Sequence, residues 1–494
     1  MAIFNNIIAG ASGQSVEAYE IDQSARFNSG DSAYLSRTVT TSATWTLSVW
    51  VKRGNLSAAM GVLEGGLHFN SGDTITAVGL TTSAVFRDVS SWYHIVVSNS
   101  GLYVNGSRLG DVSTGALTNP DIGRNSSSYF DGYLAELNFI DGTSLAAATF
   151  GETDTNGQWV PKEYSGSYGA KGFYLKFQDS SAFGDDSSGN TNDWTSNNLV
   201  ATDQVLDSPT NNFPVMNPLL GSTIDRFSLL EGNLKITANG SDWNAGFATF
   251  GVPLSGKWYW ENVITGNNNG YGGVVDRAED LTVTNPTGGF IYVFWDGRKR
   301  VDGTFSSYGA TVSAGDIISY AINMDTSPRQ ITFYKNNSTQ GTLDITGSCA
   351  TEDIFPYITS LTTNHFNFGQ DSSFAGIKTA QNNADGNGIG DFYYSPPSGF
   401  LSICASNMPE VSAETVSYVG NGSTDGTFVY LGYLPSSFTI SSTTYSLSAT
   451  NPSSDVDWLA NGLKIRSTTR NGNGTSYSIT AAPIEQDFKY SNAR

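Results

Sequence analysis

Short alternating runs of aromatic and β-branched residues, each closed by turn formers, recur along the whole chain and leave little room for anything but β-sheet. Trp45, Leu47 and Val49 alternate with Thr44, Thr46, Ser48 and Trp50, with Lys52 and Arg53 just beyond. That period of two predicts a strand with one face in a core. Trp92-Tyr93-His94-Ile95-Val96-Val97 is a second such run. Leu102-Tyr103-Val104 leads into Asn105-Gly106, and the run 133–140 ends at Asp141-Gly142. Asn-Gly and Asp-Gly admit the positive φ that a tight hairpin needs. Helices lack material here, because only 14% of residues are charged and an amphipathic helix needs a charged outer face. Aromatics at 12% argue against disorder. The expected class is all-β.

At 494 residues the chain exceeds one ordinary core, so several domains are expected. Residues 1–23 carry Ile3, Phe4, Ile7 and Ile8 ahead of Gly10-Ala11-Ser12-Gly13, either a docking arm or a frayed terminus tucked on the first domain. Residues 24–143 form a first β unit. Residues 144–220 are less periodic, yet Trp159, Tyr164, Phe173, Tyr174 and Trp194 offer packing, which suggests an ordered connector wrapped on the domains. A second β unit spans 221–377, with the aromatic run 256–261 and the strand pair 316–323 and 330–337. Residues 378–411, glycine-rich and then marked by Pro396-Pro397, read as a linker. Residues 412–494 make a small third β unit with a thin core.

Twenty-five basic against 45 acidic residues leave a net charge of −20, which repels phosphate backbones and excludes general nucleic-acid binding. No run of about 18 apolar residues offers a membrane span. The N-terminus lacks the basic lead and apolar core of a secretory signal. Cys349 and Cys404 are too few for a disulfide scaffold and read as two inert buried thiols.

The first unit resembles the laminin-G and pentraxin-like concanavalin A sandwiches. The matching features are the strand from Trp45 to Trp50 with Lys52-Arg53, Trp92-Tyr93-His94-Ile95-Val96, Leu102-Tyr103-Val104-Asn105-Gly106, Ile122-Gly123-Arg124 and Phe130-Asp131-Gly132-Tyr133-Leu134-Ala135-Glu136. The second unit looks like a SPRY domain, through Lys257-Trp258-Tyr259-Trp260-Glu261, Gly315-Asp316-Ile317-Ile318 and Phe333-Tyr334-Lys335-Asn336. The fold class these resemblances imply is a multidomain all-β protein: a concanavalin A-like β-sandwich, a SPRY-like β-sandwich and a small C-terminal β domain.

The whole arrangement also resembles tail or fibre proteins of tailed, often marine, bacteriophages. The shared stretches include Phe139-Ile140-Asp141-Gly142, Trp159-Val160-Pro161-Lys162, Asn190-Thr191-Asn192-Asp193-Trp194, Ser208-Pro209-Thr210-Asn211-Asn212-Phe213 and Ser395-Pro396-Pro397-Ser398-Gly399-Phe400. That resemblance implies a structural virion component, a tail fibre or tail-associated adhesin binding a host glycan or surface protein. A capsid decoration or head fibre, or a depolymerase tailspike, are the alternatives. It further implies self-association as a homotrimer, other phage tail or capsid proteins as partners, a location on the virion tail, and release from the host cytoplasm by lysis.

No catalytic residue stands out. A glycosidase needs two carboxylates flanking a sugar cleft; Glu136 with Asp141, and Glu261 with Asp296, are the candidates to check, and acidic residues on sandwiches mostly serve solubility. His68, His94 and His365 are isolated and give no zinc cluster. No cofactor is expected, although the laminin-G resemblance raises the prior for Ca²⁺ on a loop, where Asp185-Asp186 with Asn190 is oxygen-rich but reads as a hydrated acidic turn. Sugars are held by an aromatic face plus amide and carboxylate hydrogen bonds. The ligand-binding candidates are Asn267, Asn269 and Tyr271 in one loop and Trp295, Asp296 and Arg298 in another, with Tyr393-Tyr394 as further exposed aromatics.

Overall fold

A computed structural model describes residues 19–154, 158–219, 227–238, 243–276, 288–350, 353–408, 414–424, 426–431, 433, 435–446, 456–459, 461–467 and 469–483; Ile3, Phe4, Ile7 and Ile8 lie outside them. Among the described residues the regular elements are strands and short 3-10 turns. No helix among them is long and apolar enough to cross a membrane.

The first sandwich packs an eight-stranded sheet on a seven-stranded one. The eight-stranded sheet runs Ser107–Gly110, Gly101–Val104, Tyr93–Ser98, Trp45–Arg53, Gly132–Asp141, Ser24–Phe27 and Gln204–Val205, with Phe173–Leu175 also paired to Gly132–Asp141. The hairpin at Asn105-Gly106 forms as its residues dictate, both in the left-handed region (φ 46° and 75°). Trp45, Leu47, Val49 and Val51 face Leu35, Val62, Leu67 and Phe69 of the other sheet in one apolar core.

Two features differ from the sequence expectation. The Trp45–Arg53 strand is buried along its whole length, not on one face. The reason is a second layer: Phe150, Tyr168 and Tyr174 pack on Val96 and Ile140, while Trp50, Trp92, Tyr133 and Ala135 join the core of the second sandwich. The described residues of 144–219 do more than connect. They supply Phe173–Leu175 and Gln204–Val205 to one sheet and Thr195–Asn197 to the other, so the first sandwich draws strands from beyond residue 143.

The second sandwich pairs another eight-stranded sheet, built around Lys257–Ile264 and Ile317–Asn323, with a six-stranded sheet ordered Asn244–Phe247, Ile354–Ser360, Gly270–Asp276, Gly289–Val293, Arg298–Val301 and Thr304–Ser307. Ile317–Asn323 and Arg329–Lys335 are the expected antiparallel pair. The described part of the stretch read as a linker, 378–408, is a packed strap. Phe374 with Tyr393 and Tyr394 lies on Val263 and Ile317, Phe392 lies on Tyr259 and Ala321, and Leu401–Ser402 adds a parallel strand beside Lys257–Ile264. The third unit is a small sandwich of four and three strands around Val416, Phe438, Trp458 and Ile479.

Charged residues sit inside the junction of the first two sandwiches. Lys52 is fully buried; its Nζ donates to Asp207 Oδ2 at 2.6 Å, Asn212 Oδ1 at 2.7 Å and the Phe213 carbonyl at 2.7 Å, using every ammonium donor. Asp207 Oδ1 accepts from Trp92 Nε1 and the Phe213 N–H. Nearby, the buried Arg26 donates to Asp371 Oδ2 and the Thr202 carbonyl, both at 2.9 Å, with Asp203 and Glu231 at 3.5 Å. Tyr133 Oη donates to the Gly232 carbonyl and Asn233 to the Gly54 carbonyl, closing the joint. Gly232 is obligatory there, since a Cβ would come within 2.3 Å of the Tyr133 ring at φ +61°.

Removing one partner of such a pair leaves a charge buried and unpaired. Asp207→Ala is therefore expected to cost about 3–5 kcal/mol, read as a lower urea midpoint, while Lys52→Met with Asp207→Leu recovers most of that loss. An unchanged midpoint in the single variant would refute the buried pair.

Candidate functional site

Period-two alternation sorts the six-stranded sheet of the second sandwich. Val274, Phe290, Tyr292, Phe294 and Ile358 point into the core. Tyr271, Val275, Ile291, Val293, Phe247, Phe355 and Tyr357 form an apolar outer face. The third unit covers one end of that face, where Tyr430 meets Phe355 edge-on at 4.7 Å. At the other end Trp243 stacks on Tyr271 at 5.3 Å, Trp295 tilts against Tyr271 at 5.5 Å, and the two indoles are 5.4 Å apart.

Tyr271 is therefore not an exposed platform. It is 3% exposed, sealed beneath the two tryptophans, and its burial pushes the phenol up to about 12. The rings that reach solvent are those of Trp243 and Trp295, both partly buried. The exposed Asn267 and Asn269 lie in the adjoining loop, where the Asn269 N–H donates to Asn267 Oδ1 at 3.0 Å. The Leu361 N–H donates to the Asn269 carbonyl at 2.8 Å and the Phe294 N–H to the Gly270 carbonyl at 2.9 Å, which draws this loop beside the turn after Phe294. In that turn Asp296 accepts from the Arg298 backbone at 3.0 Å and from its Nε at 2.6 Å. Arg298 spreads over the Phe305 ring at 4.6 Å, and Phe305 stays 40% exposed on the sheet's outermost strand.

The fold thus assembles both loops singled out from sequence and adds Trp243 and Phe305. Trp243 is separated from Trp295 by some fifty positions, so only strand pairing unites them; its signal was a tryptophan in the polar stretch Ser241-Asp242-Trp243-Asn244. Tyr393 and Tyr394, on the strap, are half-buried against Val263 and Ile317 and lie 4.9 Å from one another.

The carboxylate pairs are not assembled. Glu136, at a bulge with φ +48°, accepts from Tyr19 Oη at 2.8 Å and Tyr174 Oη at 2.6 Å. Asp141 instead accepts from the Ser42 and Lys171 N–H groups. Glu261 lies under the strap on the outer side of the eight-stranded sheet, the opposite side of the sandwich from Asp296. His94 is buried between Trp50 and Trp159, its ring bonded to Ser48 and to Trp159 Nε1, and burial lowers it to about 3. It is fully enclosed. The Asp186 oxygens accept the N–H groups of Tyr174, Ser188 and Asn192, which makes it a turn organiser. No group of three or more His, Cys, Asp or Glu side chains among the described residues could hold a metal. Cys349 and Cys404 are buried and not joined by a disulfide, and burial pushes the Cys404 thiol up to about 12.

Glu261 fastens the strap. Fully buried, it accepts from Tyr259 Oη at 2.8 Å and the backbone N–H groups of Tyr393 and Tyr394, each at 2.9 Å. Burial raises its carboxyl to about 7 against that support. A raised folded-state value means the folded chain holds the proton more tightly, so its stabilising contribution is complete below about pH 4.5 and lost as pH climbs through 7. Glu261→Gln is expected to flatten the fall in stability across that window, worth about 3 kcal/mol, in denaturant titrations at pH 4.5 and 7.5. A slope identical to that of the parent chain would refute the assignment.

No protein family and no curated protein matches the chain. Among solved structures it is similar to the SPRY domain of human HERC1, at 17% identity and a TM-score of 0.25, over 31% of this chain and 96% of that one. A human SPRY domain gives 17% and 0.24, over 29% and 94%. The TRIM65 PSpry domain gives 13% and 0.26, over 31% and 92%. These are distant, partial likenesses to SPRY-like β-sandwiches.

Proposed function

We propose that this chain is a structural component of a bacteriophage virion, a tail fibre or tail-associated adhesin that holds a host surface glycan. In this reading the first unit is a laminin-G or concanavalin A-like sandwich and the second a SPRY-like one. The sequence stretches shared with phage tail proteins support the virion role. One structural observation carries the glycan role: Trp243 and Trp295 seated on buried Tyr271, with Asn267, Asn269, Asp296 and Arg298 around them. Indole faces stack on sugar C–H groups, and amide, carboxylate and guanidinium groups bond the hydroxyls. The sealed tyrosine holds both indoles without a ligand, so little side-chain entropy is lost on binding. The site acts by recognition, with no bond made or broken. Copies would associate as a trimer through sandwich faces.

The test has two parts. Antibody labelling of virions in cryo-electron microscopy is expected to mark symmetric tail projections; label over the head would make the chain a capsid decoration, and unlabelled particles would remove the virion role. Trp243→Ala with Trp295→Ala is expected to weaken attachment of the purified chain to host cells at least about tenfold, with the thermal midpoint of the sandwiches retained. Unweakened attachment would refute this glycan site.

A further inference from the structure

We infer that the first sandwich carries a second, separate site: a recess on the outer face of its seven-stranded sheet that takes one acidic monosaccharide residue of the uronic acid class. It stands independently of the reading above, being built from other residues in another domain.

Three neighbouring strands set the floor of the recess. Thr195 pairs with Ser36 across one strand junction and Ser36 with Asp121 across the next. Their neighbours Leu35 and Ile122 turn into the apolar core, so these three side chains point outward in one row. Arg37, Thr38 and Asn119 complete the walls of a cavity of about 210 Å³. That is below the ~300–1,000 Å³ typical of drug-sized ligands and suits a single sugar ring. The lining is hydroxyl, amide, carboxylate and guanidinium throughout, which gives an apolar ligand nothing to bury against.

The charges select the ligand further. Asp121, 6% exposed, is already neutralised, because Arg124 donates to its Oδ2 through Nε at 2.8 Å and through a terminal nitrogen at 2.5 Å. Arg124 is itself held over the Tyr34 ring at 3.9 Å. Asp121 Oδ1 takes neither of those bonds, and a buried carboxylate oxygen with a spare lone pair suits a sugar hydroxyl. Arg37 is different. Its terminal nitrogens bond the Lys171 carbonyl and Asn192 Oδ1, while Asp186 and Asp193 act on its charge without bonding it. Among the described residues no carboxylate bonds it directly, so a guanidinium able to pair a carboxylate with two parallel bonds lines the recess. Asn197 Nδ2 donates to Ser36 Oγ at 3.0 Å, which fixes that hydroxyl in the row. A ring carrying both hydroxyls and a carboxylate satisfies the row and Arg37 together.

Calorimetric or saturation-transfer NMR titration of the full chain would test this with D-glucuronate, D-glucose and acetate as probes. Glucuronate is expected to bind saturably, with glucose and acetate each at least about tenfold weaker. Thr195→Trp fills the recess from an exposed strand position, and Arg37→Met removes the cation; each is expected to weaken glucuronate at least about tenfold. Thr195→Trp keeps the test decisive if Arg37→Met unfolds the 170–192 segment that Arg37 ties down, and Trp243→Ala with Trp295→Ala should leave glucuronate binding unchanged. Glucose binding as well as glucuronate would overturn the acidic class, acetate binding as well would reduce the site to a simple anion hole, and binding untouched by Thr195→Trp would overturn the location.

Discussion

The ammonium of Lys52, sealed between two β-sandwiches and bonded to Asp207, Asn212 and Phe213, is the interaction on which the assembly depends. A buried charge tolerates few geometries, because every donor must find an acceptor or the desolvation cost goes unmatched. That requirement ties the Trp45–Arg53 strand of the first sandwich to the segment 207–213 entering the second. Arg26 repeats the constraint a short way along, reaching Asp371 across 345 residues of sequence. Apolar contact alone would hold the two sheets together but would let them slide. The buried pairs select one docking.

The same logic explains why segments with weak strand patterns are nonetheless ordered. The described residues of 144–219 and the strap up to residue 403 have few alternating runs of their own, but each covers a sheet face that would otherwise expose apolar side chains. Phe150 and Tyr168 cover Val96 and Ile140. Phe392 covers Tyr259, and the Glu261 carboxylate receives two strap N–H groups that would otherwise go unsatisfied. Long loops become layers when they are given a hydrophobic underside.

These layers also fix where ligands can be met. On the six-stranded sheet the third unit occupies one end of the apolar outer face, and the indoles of Trp243 and Trp295 are what remains open at the other. On the first sandwich the large sheet is covered on its outer side, while the smaller sheet keeps a polar outward row at Thr195, Ser36 and Asp121. One face therefore offers rings and the other hydroxyls.

By itself the sequence determined the class and the local elements. Alternation along 45–50, 92–97 and 317–335 and the Asn105-Gly106 turn are short-range facts of pleat and φ, and the strands stand where those facts demand. The two loops of the glycan-binding candidate were legible for the same reason, since turn residues next to aromatics are local signals. Only the tertiary structure decided which aromatics are covered. Tyr271 and Trp295 each stand beside turn residues in sequence, yet one is roofed over and the other is part of the roof, because Trp243 arrives from a distant segment. Lys52 likewise reads as an ordinary charge near a strand end until the second sandwich closes over it. Burial is a property of what packs on a residue, and no period in the sequence around it records a partner hundreds of positions away.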